Sequence, residues 1–171
     1  MKKAIAIILS VLLLDQLTKG ILLYLITGHV PVVGNAFDLV GNPYLMARVT
    51  NFFNIVFTWN PGTSFSLFRN LGLSAPMVIV ILTGVIVGVL GYMLAKTKIN
   101  HEKWALSLII GGAIGNIIDR VRFNAVIDFL DFHVGGWHWP AFNLADTAIT
   151  IGVAIFIIGW VFGKKKLGTS N

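Results

Sequence analysis

The sequence contains no cysteine and few charged residues. Without cysteine there is no disulfide, no thiolate metal ligand and no cysteine nucleophile. Charged residues make up 12% of the 171 residues and hydrophobic residues 56%, with a mean hydropathy of +0.83. A soluble domain is about one-quarter charged. The composition therefore argues against an ordinary soluble protein and predicts a polytopic membrane protein.

Acidic residues are especially scarce, with seven in the whole chain. Four of them lie between residues 111 and 146, among Ile, Val, Phe and Trp: Asp119, Asp128, Asp131 and Asp146. An ionised carboxylate is costly in such surroundings unless another group pairs with it. This stretch is therefore predicted to carry the chemistry of the protein.

Four apolar runs predict membrane-spanning helices, over about residues 4–26, 76–95, 104–118 and 143–162. The first begins like a secretory signal peptide, but Asp15 and Lys19 interrupt it and no convincing cleavage site follows, so a retained helix is expected. Residues from about 29 to 74 are rich in β-branched and aromatic side chains and in turn formers. We therefore predict a single all-α membrane domain with one small β-rich patch, the only part of the chain expected to form strands.

The basic residues indicate an orientation. The net charge is +6, but the lysines cluster at the ends of apolar runs, which favours membrane orientation over nucleic-acid binding. The N-terminus, the loop between spans two and three, and the C-terminus hold eight lysines. The positive-inside rule places both termini and that loop in the cytoplasm. The β-rich patch and the connection between spans three and four are then predicted to share the outer face.

Asp128 and Asp146 are predicted to form a catalytic pair. They are 18 residues apart, but Gly-Gly and Pro breakers between them let the chain return. Two carboxylates in a partly dry site tend to share a proton, so one activates water while the other polarises a peptide carbonyl. A structural role is equally open for Asp146, because the sequence from Asn143 to Asp146 resembles a helix capping box. Capping explains Asp128 less well.

The other polar residues near these spans allow structural explanations. Asp119 is expected to pair with its neighbours Arg120 and Arg122, and Asn116 lies on the same helix face as Asp119. Asp15 and Lys19 are one helical turn apart and are predicted to pair and face inward. The sequence Asn60-Pro-Gly62 is typical of a turn, with substrate binding as the alternative. Asp131 and His133 are expected to be solvated loop residues. Two GxxxG spacings, Gly84 with Gly88 and Gly111 with Gly115, indicate close helix packing.

Taken together, four segments resemble the bacterial lipoprotein signal peptidase family, signal peptidase II. They are Asp15-Gln-Leu-Thr-Lys19, Asn60-Pro-Gly-Thr-Ser-Phe65, Gly111-Gly-Ala-Ile-Gly-Asn-Ile-Ile-Asp-Arg120 with Val126-Ile-Asp-Phe129, and Ala141-Phe-Asn-Leu-Ala-Asp146. With the four-span layout, the resemblance covers most of the chain. One departure is that Thr63 and Ser64 stand where the family usually has alanines.

The resemblance implies a membrane aspartic endopeptidase at the outer face of the bacterial inner membrane. Its substrates would be prolipoproteins carrying a diacylglyceryl-modified Cys, cut just before that residue. The catalytic dyad would be Asp128 and Asp146. Supporting or substrate-contacting positions would be Asp15, Lys19, Asn60, Gly62, Asn116, Arg120 and Asn143, with Asp119 structural. The family also implies a β-cradle over the site, inhibition by globomycin, and no metal or organic cofactor; nothing in the sequence demands more than a monomer.

Two alternatives belong to other functional classes. A small proton- or ion-coupled transporter would use Asp15, Asp119 and Asp146 as a relay. Against it, the chain has no inverted repeat and its acids gather at one membrane face. A lipid-binding or assembly subunit with structural acids is the second alternative.

Overall fold

Four long helices form the body of the protein in a computed structural model that describes residues 1–28, 44–62 and 75–163. Helix α1 spans Lys2–Thr27, α2 Ala75–Lys96, α3 Asn100–Phe123 and α4 Leu144–Gly163. All four are long and apolar enough to cross a membrane. Helix α3 extends beyond the predicted 104–118 at both ends, because its first and last turns are polar and hydropathy does not register them. The four-helix membrane fold predicted from the sequence is confirmed.

Helix α3 lies at the centre of the bundle and contacts each of the other three helices. Its glycines permit this close approach, since a Cβ at Gly111 would lie 3.0 Å from the Ile8 carbonyl oxygen of α1. A Cβ at Gly115 would lie 2.6 Å from an Asp15 carboxylate oxygen. The packing predicted for Gly111 and Gly115 is thus confirmed. A Cβ at Gly84 or Gly88 would meet no atom within 4 Å in the described ranges, so the prediction for that pair is wrong there.

A four-stranded antiparallel sheet lies at one end of the bundle. Its strands are β1 Tyr44–Arg48, β2 Phe53–Asn60, β3 Val126–Val134 and β4 Trp137–His138, in the order β1-β2-β3-β4. Half of the sheet therefore comes from the connection between α3 and α4. The prediction that only residues 29–74 form strands was wrong. Aspartate is uncommon in strands, so the two aspartates of β3 argued against a strand there. Residues 29–43 and 63–74 of the predicted patch, including Thr63 and Ser64, lie outside the described residues.

An apolar core fixes the sheet onto the helix ends. Its buried side chains come from α1, β2, the end of α3 and β3: Leu22, Leu23, Phe57, Trp59, Phe123, Ala125, Ile127 and Phe129. Beyond β4 the chain returns along β3, where the backbone N–H of Leu130 donates to the Phe142 carbonyl at 2.8 Å. This return brings the first turn of α4 alongside β3, and with it the polar residues that open that helix.

Candidate active site

Asp128 projects from β3 into the space between the sheet and helices α3 and α4. Its side chain is only 2% exposed. One carboxyl oxygen, Oδ1, accepts a hydrogen bond from Asn143 Nδ2 at 2.7 Å, and Oδ2 accepts one from Asn60 Nδ2 at 2.9 Å. Burial raises the pKa of Asp128 to about 7; the Asp146 charge adds to the rise, while the two amide hydrogen bonds oppose it. The group is thus able to hold a proton near neutral pH.

Asp146 lies in the first turn of α4. Its Oδ2 accepts the Asn143 backbone N–H at 3.2 Å, and the Asn143 side-chain oxygen accepts the Asp146 backbone N–H at 2.9 Å. This reciprocal pair is a capping box, so the structural interpretation of Asp146 is confirmed. The other oxygen, Oδ1, is left for Asn116, whose Nδ2 donates to it at 2.8 Å. Capping therefore occupies one oxygen of the carboxylate and fixes the direction of the other.

Two buried asparagines join the two acids into one cluster. Asn143 is fully buried and contacts both, donating from its side chain to Asp128 and capping the helix with Asp146. Its Nδ2 also lies 3.3 Å from Asn116 Oδ1. The structure therefore brings Asp128 and Asp146 together through shared amide partners, although 18 residues separate them in the sequence.

A buried ion cluster lies directly behind these amides. The Lys19 ammonium lies 2.9 Å from Asp15 Oδ2 and 2.8 Å from Asp119 Oδ2, and all three side chains are at most 2% exposed. The predicted Asp15–Lys19 pair is confirmed. Asp119 is in an ion pair, as predicted, and the partner in contact is Lys19, which reaches it from α1. Arg120 interacts with Asp119 electrostatically.

The ion cluster is connected to the two acids by direct hydrogen bonds. Lys19 donates to Asn116 Oδ1 at 3.1 Å, which turns the Asn116 amide N–H toward Asp146. Asp15 Oδ1 accepts the backbone N–H of Ala145 at 3.0 Å and so holds the first turn of α4. Helix α1 thereby supports the site without supplying either of the paired acids.

Arg120, Asn60 and Gly62 lie at the edge of the cluster. Arg120 Nη1 donates to the Asn116 carbonyl at 3.4 Å, and its buried Nε has no hydrogen-bond partner within the described residues. The Asn60 side-chain oxygen accepts the Gly62 backbone N–H at 2.9 Å, and Gly62 has a φ of 75°, which favours glycine. The predicted turn at Asn60 is present, and the same side chain also contacts Asp128.

Asp131 belongs to a separate polar cluster. Three residues beyond Asp128 on β3, it lies on the opposite face of the strand. It is buried, and it accepts hydrogen bonds from Asn54 Nδ2 at 2.8 Å and from His138 Nδ1 at 2.8 Å. Burial alone would raise the pKa of Asp131, but these hydrogen bonds hold it below its usual range. The prediction of solvated loop residues was wrong for Asp131 and His133, which are both in the strand, where His133 stacks on His138.

The sequence analysis gave two contributors no role of their own in the site. Gln16 bonds to members of the ion cluster, and Gly115 leaves the space that the Asp15 carboxylate occupies. The signal for Gln16 was available, because an amide beside Asp15 in an apolar helix needs polar partners. Among residues 1–28, 44–62 and 75–163, no three histidine or acidic side chains gather closely enough to hold a metal ion.

Comparison with known proteins identifies the family of this chain. Residues 7–162 match the family model described as Signal peptidase (SPase) II. The chain belongs to the signal peptidase II family.

Other members of the signal peptidase II family are close in sequence. A protein named lipoprotein signal peptidase from Anaplasma phagocytophilum (strain HZ) is 49% identical over 109 residues, covering 64% of this chain and 69% of that protein. One of the same name from Francisella tularensis subsp. novicida (strain U112) is 42% identical over 134 residues, covering 74% and 83%.

The fold agrees with this assignment. A solved bacterial membrane enzyme, determined by the in meso method at 2.3 Å resolution, superposes with a TM-score of 0.75 at 28% identity, covering all of this chain and 94% of the other. A second, at 1.9 Å resolution, gives a TM-score of 0.72 at 29% identity, covering 94% and 93%. The chain is therefore a multi-pass membrane protein of a peptidase family.

Proposed function

We propose that this protein is an intramembrane aspartic endopeptidase that removes signal peptides from diacylglyceryl-modified prolipoproteins, cutting just before the lipid-modified Cys. Family membership and the names of the relatives support the substrate class. The observation that carries the aspartic mechanism is that Asn143 donates to both carboxyl groups, from its side chain to Asp128 and from its backbone N–H to Asp146. Two carboxyl groups held by the same buried residue are suited to share a proton.

The proposed chemistry divides between the two acids. Asp128, with a pKa of about 7, keeps the shared proton at neutral pH and below. The ionised Asp146 takes a proton from water as the water oxygen attacks the scissile carbonyl carbon, and Asp128 gives its proton to the carbonyl oxygen. When the tetrahedral intermediate collapses, the C–N bond breaks, Asp146 protonates the leaving amine, and the carbonyl proton returns to Asp128. Both acids are then ready for another cycle.

Neighbouring side chains would hold the reacting peptide and the dyad. The Arg120 guanidinium interacts electrostatically with both acids and keeps one buried N–H without a protein partner in the described ranges. That donor is available for a substrate carbonyl or the developing oxyanion. Asn60, Asn116 and Asn143 already donate to the dyad, so their role is to fix the carboxyl groups in place.

The distribution of lysines supports an orientation in the membrane. Lys2 and Lys3 begin α1, and three more lysines lie where α2 ends and α3 begins, at the end of the bundle opposite the sheet: Lys96, Lys98 and Lys103. We therefore place both termini in the cytoplasm and the dyad at the outer face of the bacterial inner membrane. Substrates would enter sideways from the bilayer with their acyl chains among apolar helix faces. Globomycin would compete with them, and the single polytopic domain would act as a monomer.

The test is cleavage of a lipidated prolipoprotein in detergent. Asp128→Asn and Asp146→Asn should each abolish the peptide product while the protein stays folded. Asp131→Asn is the matched control, since Asp131 lies on the same strand but faces away from the dyad. Near-normal cleavage by either dyad variant would refute the assignment. A transporter would instead give no peptide product and would lose ion flux when Asp15 is changed.

A further inference from the structure

Gln16 occupies a central place in the buried ion cluster. Its amide Nε2 lies 2.9 Å from Asp119 Oδ1, 3.2 Å from Asp15 Oδ2 and 3.3 Å from the Gly115 carbonyl. Its Oε1 accepts a hydrogen bond from Arg122 Nη1 at 3.4 Å. Because the arginine can only donate, this contact turns the amide nitrogen toward the two acids. Gln16 thus joins α1 to α3 with a fixed amide orientation.

The ion cluster needs the donors that Gln16 supplies. Asp15 and Asp119 are two buried carboxylates, and Lys19 is the only ammonium that contacts them in the described part of the chain. A single ammonium in contact with two buried carboxylates leaves part of their charge to hydrogen-bond donors, since burying an unsolvated charge is costly. Gln16 donates to Asp119 Oδ1, whereas Lys19 and the Ile127 backbone N–H both contact Oδ2. Loss of the Gln16 amide would remove the donor to Oδ1, which lies at 2.9 Å.

The charge balance of the cluster extends to the dyad through Lys19. The Lys19 ammonium is shared among three acceptors, and its contact with Asn116 Oδ1, at 3.1 Å, is the longest. If the carboxylates lost another donor, they would attract the ammonium more strongly, and its contact with Asn116 would weaken first. Asn116 would then lose the partner that keeps its Nδ2 directed at Asp146.

We propose that Gln16 is a positioning residue for the catalytic dyad: it satisfies Asp15 and Asp119 so that Lys19 remains available to orient Asn116 toward Asp146. The inference rests on the proposed function, because it assigns to Asp146 a role in catalysis. It concerns a residue that touches neither of the two catalytic acids. Its expected signature is a change in turnover and in pH dependence with little change in substrate binding.

Two substitutions of Gln16 test the proposal. Gln16→Met keeps a similar shape without the amide, and Gln16→Glu also adds a carboxylate beside the other two. A hydrogen bond to a charged group changes an equilibrium constant by about 10- to 100-fold. We therefore expect kcat to fall by at most about 100-fold and KM to change little. The fall should be larger in the Glu variant than in the Met variant. Loss of an amide donor from the dyad should also move the acid limb of the pH–kcat profile to higher pH. Reduced packing alone would lower the yield of folded enzyme without moving this limb.

A second-site change provides the rescue. In the double variant Gln16→Glu with Asp119→Asn, the amide and the carboxylate exchange places and the total charge is restored. The double variant should recover kcat at least severalfold over Gln16→Glu and return the pH profile toward the unmodified one. Thr18→Val is the matched control, since the Thr18 hydroxyl donates to the Leu14 and Asp15 carbonyls of its own helix. It should behave like the unmodified protein.

Each outcome has a distinct meaning. Folding of every variant is checked by thermal unfolding in detergent, and turnover is expressed per folded protein. Unchanged kcat and pH profile in both Gln16 variants, or no rescue in the double variant, would overturn the positioning role while Asp128→Asn remains inactive. Activity in Asp128→Asn would instead overturn the proposed function itself.

Discussion

The hydrogen bond between Asn60 and Asp128 should set the alkaline limit of activity. Asn60 Nδ2 donates to Asp128 Oδ2 at 2.9 Å and so favours the ionised carboxylate. Burial raises the pKa of Asp128 to about 7 in spite of this bond. If Asp128 must be protonated for turnover, activity should fall as the pH rises through about 7. In Asn60→Ala, where the bond is absent, the pKa of Asp128 should rise further and the alkaline limb should move to higher pH.

The size of the change follows from the strength of the bond. A hydrogen bond to a charged group contributes about 1.5–3 kcal/mol, and about 1.4 kcal/mol corresponds to one pH unit. Asn60 is itself exposed, so the lower end of the range applies, and the limb should move up by about one pH unit. The midpoint of the alkaline limb is an apparent pKa of the coupled pair Asp128 and Asp146.

The assay is kcat/KM for a lipidated peptide measured across pH 5–9 in detergent. Asn54→Ala is the matched control, because Asn54 donates from the same strand to Asp131 at a similar distance, 2.8 Å, in the separate cluster. Its profile should keep the limb of the unmodified protein. An Asn60→Ala limb that stays in place or moves to lower pH would refute the role of Asp128 as the group that must be protonated.

Two further predictions concern stability. Asp128 has a pKa of about 7 in the folded protein, well above the ordinary value of an aspartate, so the fold loses stability as the pH rises from about 4 to 7. Asp128→Asn should remove that loss. The stability of this variant relative to the unmodified protein should therefore increase from pH 5 to pH 8, by at most about 4 kcal/mol. A difference in stability that does not change with pH would contradict the assigned pKa. Gly115→Ala would place a Cβ 2.6 Å from an Asp15 oxygen and should cost about 1–3 kcal/mol. Gly20→Ala is the control, since a Cβ there would meet no atom of the described residues within 4 Å, and it should be neutral or slightly stabilising. Equal unfolding temperatures for the two alanine variants would show that the Asp15 carboxylate does not need the space beside Gly115.

Several parts of the site were predictable because they depend on short-range geometry. The spacing of Asp15 and Lys19 places both on one helix face whatever surrounds them. The capping box of Asn143 and Asp146 likewise depends only on the chain entering a helix there. Hydropathy indicated four spans because a chain that crosses the membrane must form a helix to satisfy its backbone polar groups, and each such helix needs a continuous run of apolar residues. The motif resemblance pointed to the same family that the comparisons then established.

Other parts could not be read from local patterns. The strand at Val126–Val134 was missed because its aspartates oppose the usual strand preference, and only partners on other elements make them acceptable there. The ion pair between Lys19 and Asp119 could not be predicted either, because Lys19 comes close to Asp119 only after α1 packs on α3.

The sequence by itself determined the membrane class, the helices and the pairs that lie within one helical turn, since these follow from composition and fixed helix geometry. Only the tertiary structure decided that Asn60, Asn143 and Asp128 meet, and that Lys19 orients Asn116. Those contacts depend on the register of β2 against β3 and on glycines that let α3 approach α1 and α4. Such long-range geometry arises from the packing of the whole bundle, which no short segment of the chain encodes.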